Sequence, residues 1–263
     1  MKTSILILLP ILTLFLACNS PSRETTTDLG NPAAEGFNQA GSDTRAIDIA
    51  DQVMDAMGGR KAWDDTRVLA WNFFGRRHLI WDKQSGLVRI DVPQDSTIYL
   101  LDLKNEKAKI SRKGVEITNP DSLLVYRKKG EGMWINDSYW LVMPFKLKDS
   151  GVTLKYIGED TTQNGVNSEV LQLTFQNVGN TPDNMYKLWV DKSDNLIKQW
   201  AFYARYDQEA PTAIWPWDNY QTYGQIKLSA DRSDGRGPKL VKVYDTVPQE
   251  TFTDFDQPSL VQF

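Results

Sequence analysis

The chain of 263 residues contains a single Cys and a single His. One cysteine excludes an internal disulfide framework and any Cys-rich metal site. One histidine excludes zinc sites built on two histidines. There is no surplus of positive charge either: 30 Lys and Arg against 34 Asp and Glu leave a net charge of −4. That argues against a protein that grips nucleic acid by neutralising phosphates. The serine-hydrolase elbow G-x-S-x-G and the phosphate-cradling P-loop are both missing, and Gly130-Glu131-Gly132 has Ile135 where a dinucleotide fingerprint needs glycine. What the chain does have is apolar and aromatic bulk: 41% hydrophobic and 11% aromatic residues, with nine Trp. At this length that is enough to bury a real core.

The first twenty residues, MKTSILILLPILTLFLACNS, carry Lys2 and then an apolar run from Ile5 to Leu16 broken only by Pro10 and Thr13. The run falls short of the roughly 20 apolar residues a spanning helix needs, and it reads as a secretory signal over residues 1–17. Leu14-Phe15-Leu16-Ala17-Cys18 resembles the lipobox of bacterial lipoproteins. That resemblance implies cleavage before Cys18, a diacylglyceryl group on its thiol and acylation (palmitate or similar) of the new amine. Several acyl chains exceed the two-anchor threshold for stable membrane attachment. Asn19 stands where an Asp would resemble an inner-membrane retention signal, so the expected location is the outer membrane, facing the periplasm. Residues 18–43 are rich in Ser, Thr, Asn, Gly and Pro and read as a flexible tether. Residues 44–263 read as one β domain.

Within that domain, Ile47, Ala50, Val53, Met54 and Met57 share one helical face. Asp43 or Thr44 can cap the start, and Gly58-Gly59 can end the helix through a left-handed residue. From Val68 the period changes to two. Leu69, Trp71 and Phe73 share a strand face, Leu79 and Trp81 continue it, and further strands are expected over 96–103, 107–112, 152–158, 168–176, 185–191, 195–206, 223–232 and 239–247. Asn164-Gly165 marks a hairpin. No second long helical pattern is predicted between the strands, which argues against parallel βαβ units. The expected fold is mainly β: a large curved antiparallel sheet, an open half-barrel, with the N-terminal helix against its concave face.

Met57-Gly58-Gly59 with Trp63 behind it, the hairpin Leu188-Trp189-Val190-Asp191 to Leu196-Ile197, and Phe252-Thr253-Asp254-Phe255 together resemble the outer-membrane lipoprotein carrier and receptor superfamily. Tyr139 to Leu147, followed by Gly151-Val152, resembles an uncharacterised group of bacterial lipoproteins with that fold. The resemblance implies an open, half-closed antiparallel barrel with helices over a hydrophobic cavity.

The aromatic residues are the informative ones. Trp71, Phe73 and Trp81 share one strand face, and Trp200 and Phe202 another. In a closed sandwich these stripes are core; in an open half-barrel they line a ligand cavity. The segment from Ala213 to Tyr220 places Trp215 and Trp217 around Pro216, as a cavity lip, a membrane-touching tip, a sugar-stacking platform, or a loop folded under the sheet. His78, opposite Leu79 and Trp81, reads as a sheet-surface residue. Glu159-Asp160 and Asp191 to Asn195 read as solvated turns, and the basic stretches Lys104 to Lys113 and Arg127-Lys128-Lys129 as solvated edges that discourage sheet pairing, ahead of the alternative of a lipid-headgroup patch. The expected function is a non-catalytic envelope lipoprotein that binds a lipid or other hydrophobic ligand through these aromatics, without cofactor, metal or nucleic acid. The alternative is a carbohydrate-binding or envelope-assembly module working through the Trp215/Trp217 loop.

Overall fold

The computed structural model describes residues 30–176, 178 and 182–256. Cys18 and the leader lie outside the described residues. Helices α1 (Thr44–Ala56) and α2 (Arg60–Asp65) open the body. Glycine is required at the end of α1. Gly58 sits at φ +115°, and the amides of Gly58 and Gly59 return to the carbonyls of Asp55 and Met54, the double closure of a Schellman motif. Ala46, Ile49, Ala50, Val53 and Met54 are buried along α1, so its apolar face is centred beside Ile49, and Ile47 lies at its margin. Asp43 holds the N-cap position, but its carboxylate accepts from Tyr156 N at 3.0 Å and pairs with Lys155 instead of capping the helix.

Six strands follow: β1 (Val68–Phe73), β2 (Arg77–Asp82), β3 (Leu87–Val92), β4 (Thr97–Asp102), β5 (Lys107–Arg112) and β6 (Val115–Glu116). A 23-residue helix, α3 (Pro120–Val142), comes next. After it run β7 (Val152–Thr161), β8 (Asn167–Phe175), β9 (Met185–Asp191), β10 (Ile197–Tyr203), β11 (Ala213–Pro216), β12 (Tyr220–Tyr223), β13 (Ile226–Ser229) and β14 (Pro238–Tyr244). The strands form three antiparallel sheets: seven strands ordered β14-β1-β2-β3-β4-β5-β6, five ordered β11-β10-β9-β8-β7, and the β12-β13 ribbon. The chain is mainly β with open sheets, as the period-two pattern predicts, although the strands are divided among sheets instead of forming one.

Register explains the core. Leu69 faces Trp81 and Trp71 faces Leu79 across β1 and β2, so one surface of the large sheet is continuously apolar. The opposite surface carries Val68, Ala70 and Ile80, covered by Phe252. That cover is held by Arg89, which is buried, forks onto Asp91 and donates to the carbonyls of Thr251, Asp254 and Phe255. One planar guanidinium makes all these bonds, which a lysine cannot reproduce. Arg89→Lys is therefore expected to loosen residues 249–256, read as faster amide exchange there and a stability loss of about 2–3 kcal/mol.

Helix α3 corrects the expectation that no second long helix exists. Asn119 caps it by accepting from Ser122 N at 3.0 Å, and Pro120 occupies the first turn. It lies across β3, β4 and β5 and reaches β13 and β14. α1 packs instead against β7 and the short 3-10 turn Met143–Lys146. Gly130 permits the close approach of α3, since a Cβ there would stand 2.9 Å from the Tyr99 ring. Asp137, fully buried on α3, takes a fork from Arg77 of β2 at 2.6 and 2.7 Å.

Two further expectations change. Residues 30–43, placed in the tether, pack on the body: Phe37 is buried, Asn31 donates to Asp51 at 2.7 Å, and Asn38 N bonds to Val152 O. Local polar composition hides this, because one aromatic side chain and backbone bonding to residues 148–152 suffice to dock the segment. His78 is buried, not on the sheet surface, with Nε2 2.8 Å from Asn72 Nδ2. The strand face it occupies is opposite Trp81, as the alternation requires, but that face is itself covered.

Candidate functional site

A cavity of about 750 Å³ opens between α3 and the five-stranded sheet. Each wall follows from a local rule. On the sheet side, β10 pairs Trp200 with Trp215 of β11 and Phe202 with Tyr186 of β9. Directly opposed residues share a face, so these four rings, joined by Phe175 of β8, form a continuous aromatic floor. Ring centroids are 5.3 Å apart for Trp200 and Trp215, 5.1 Å for Tyr186 and Trp200, and 5.5 Å for Phe175 and Tyr186. On the helix side, Trp134, Ser138, Tyr139 and Trp140 come from consecutive turns of α3. Trp140 meets Trp200 edge-on at 4.8 Å, and Trp134 meets Trp81 of β2 at 5.4 Å.

The polar residues of the lining are Asn136, Ser138, Lys146, Asp149, Ser150 and Asn184. Lys146 and Asp149 are paired with each other and half-exposed. Burial pushes the Tyr139 hydroxyl well above its ordinary range, and burial raises Tyr186 as well, against a hydrogen bond from Asn184. Both phenols therefore stay neutral. Trp134 Nε1, Tyr139 Oη and Trp200 Nε1 are buried without hydrogen-bond partners, but so are Trp71 Nε1 and Trp217 Nε1 in the core. The missing partners do not by themselves mark a ligand.

The volume does. Well-packed interiors hold few voids larger than a water molecule. Closed and dry, a void of this size would cost on the order of 15–20 kcal/mol, more than a domain's whole stability. Such a space stands open or is filled, and its apolar walls favour filling by something apolar. It also falls in the range of about 300–1,000 Å³ typical of small-molecule sites.

Of the aromatics expected from sequence to bind ligand, Trp81, Trp200, Phe202 and Trp215 meet at this cavity. Trp71, Phe73 and Trp217 do not line it. Trp71 and Phe73 are buried in the main core. Trp217 is only 1% exposed, and its ring carries the Arg232 guanidinium at 3.7 Å. Arg232 is itself buried, donates to Ser229 Oγ at 2.9 Å and to Trp140 O at 2.7 Å, and burial lowers its pKa to about 9. Of the alternatives for the segment around Pro216, the structure therefore favours burial and a cavity edge over an exposed platform: the Trp217 ring is core and the Trp215 ring is cavity wall. The helix contributors Trp134, Tyr139 and Trp140 escape a strand-based reading, and the local signal for their helix is its start sequence Asn119-Pro120. Asp191 to Asn195 is a hairpin turn closed by Asp191 accepting from Ser193 N and Asp194 accepting from Leu196 N. Among the described residues no group of three or more His, Cys, Asp or Glu could hold a metal ion, and no helix is long and apolar enough to cross a membrane.

No protein-family model and no curated protein matches the chain. Among solved structures it is similar to a DUF1329 family protein from Desulfovibrio piger, at TM-score 0.41 and 13% identity, over 82% of this chain and 99% of that one. It is also similar to MucB in complex with MucA(peri), at TM-score 0.23 and 11% identity, over 79% of this chain and 58% of that one. A third likeness is to the Pseudomonas aeruginosa MucA/MucB complex, at TM-score 0.22 and 14% identity, over 60% of this chain and 50% of that one. At these scores none of the three assigns this chain a family.

Proposed function

We propose that the protein is a non-catalytic component of the bacterial cell envelope that holds a hydrophobic ligand, such as an acyl chain, in the cavity between α3 and the five-stranded sheet. The observation that carries this reading is the aromatic-walled space of about 750 Å³. Envelope location is supported by the leader and by the lipobox-like Leu14 to Cys18. Burying an acyl chain contributes about 0.8 kcal/mol per CH₂, so useful affinity needs no ionic contact. The neutral phenols of Tyr139 and Tyr186 and the Lys146–Asp149 pair in an otherwise largely aromatic lining suit an amphiphile, with its polar end toward that pair.

The test is quenching of tryptophan fluorescence by a doxyl-labelled fatty acid. Trp81, Trp134, Trp140, Trp200 and Trp215 all line the cavity, so saturable quenching is expected, reversed by an unlabelled fatty acid. Quenching that neither saturates nor reverses would contradict the reading.

A further inference from the structure

The end of the molecule formed by β5, β6 and the first turns of α3 is unlike the rest. Between residues 104 and 129 lie eight Lys and Arg against three acids (Glu106, Glu116 and Asp121), in a chain of net charge −4. Arg127 is neutralised by Glu131 and Glu106. Lys113, Lys128 and Lys129 are exposed, and none of them has a carboxylate partner among the described residues. Three of the large apolar residues most exposed to solvent stand in the same place: Val115 at 69%, Leu124 at 46% and Val125 at 66%.

The geometry connects them. Val115 lies opposite Arg112 across β5 and β6, Arg112 donates to Tyr126 Oη at 3.1 Å, and Lys129 Nζ sits 6.0 Å over the Tyr126 ring. On α3, Leu123, Tyr126 and Met133 turn toward the core. Leu124, Val125 and Lys128 recur at the three-to-four-residue spacing of the outward stripe. A solvated helix face has no use for adjacent Leu and Val. Apolar residues flanked by lysines whose stems can lie along them make an interfacial surface instead.

We propose that this face docks on an anionic bilayer, with Leu124 and Val125 entering the headgroup region and Lys113, Lys128 and Lys129 meeting lipid phosphates. Charge complementarity selects the occupant: the patch is cationic within an acidic protein. Each lysine near an anionic surface strengthens such a contact about five-fold, and salt weakens it. The inference does not depend on what fills the cavity. Docking here would orient a ligand-binding body against the membrane that supplies or receives its ligand.

Hydrogen exchange of the full chain with vesicles tests it, using phosphatidylcholine alone or mixed with phosphatidylglycerol. Amides of residues 113–129 are expected to exchange at least about five-fold more slowly on the anionic vesicles than on the neutral ones. The difference should vanish in high salt and in the K128E/K129E variant. Leu124→Ser with Val125→Ser should weaken it while leaving the salt dependence. Fatty-acid quenching, unchanged in these variants, shows that the fold and cavity are intact. Equal exchange on both kinds of vesicle, or protection that survives K128E/K129E, would overturn the proposal.

Discussion

Trp71→Ala is expected to cost about 3–5 kcal/mol of stability and to leave fatty-acid affinity unchanged in the fraction that remains folded. Trp71 is fully buried in the main core and does not line the cavity. Phe202→Ala is expected to do the reverse. Its half-buried ring forms part of the cavity floor, so truncation removes ligand contact worth about 1–2 kcal/mol, roughly ten-fold in Kd, with a smaller stability loss. Urea denaturation and fluorescence titration of the two variants separate the effects. If both variants lose stability alike and neither changes binding, the aromatic floor is core and the cavity has no ligand role. Trp200 belongs to both sets, being 2% exposed yet part of the wall, and its alanine variant should lose both properties.

The second large effect is at the seam between α3 and the seven-stranded sheet. Arg77→Ala strips the charged partner from Asp137, a fully buried carboxylate that keeps only the Asn136 amide as donor among the described residues, and is expected to cost about 3–5 kcal/mol at neutral pH. The pH dependence has a definite sign. Burial already raises the Asp137 pKa above its ordinary value, against the lowering influence of Arg77. A carboxyl whose folded pKa is raised contributes stability that is full below the unfolded pKa of about 3.9 and is lost as pH rises through the folded value. Without Arg77 that folded value climbs further. The gap between wild type and Arg77→Ala should therefore shrink as pH falls toward about 4. Adding Asp137→Asn should abolish the pH dependence of the gap. A deficit constant from pH 4 to 8 would show that lost packing, not an unpaired carboxylate, is responsible.

Much of the architecture was legible because it follows from period-two patterning. Leu69, Trp71 and Phe73 alternate with residues of the other face as a strand requires, and Gly58-Gly59 ends α1 through the motif its composition announces. The helix that matters most was not legible. Its buried positions include Gly130, Asp137 and Ser138, while Leu124 and Val125 face solvent. A stripe that buries glycine and aspartate and exposes leucine gives no hydrophobic period to find. Asp137 is buried because Arg77, sixty positions away, meets it, and no local window contains that pair. The cavity was half legible for the same reason. Trp81, Trp200 and Phe202 were marked by strand alternation and Trp215 by its place beside Pro216 in a segment between strands, but their opposing wall comes from α3. Trp71 and Phe73 carry the same strand signal and end in core, since alternation tells which residues share a face and not whether that face is filled. Trp217 is sealed by Arg232, a contact no spacing rule reveals.

The central claim is that the aromatic-walled cavity holds a hydrophobic ligand. Native mass spectrometry of the protein purified without detergent, followed by solvent extraction, tests it most directly. The account predicts a bound mass that is released into the organic phase as a lipid or comparable apolar molecule, and that is diminished in Phe202→Ala and retained in Trp71→Ala. A clean ligand-free mass that stays ligand-free after incubation with fatty acids and phospholipids would contradict it.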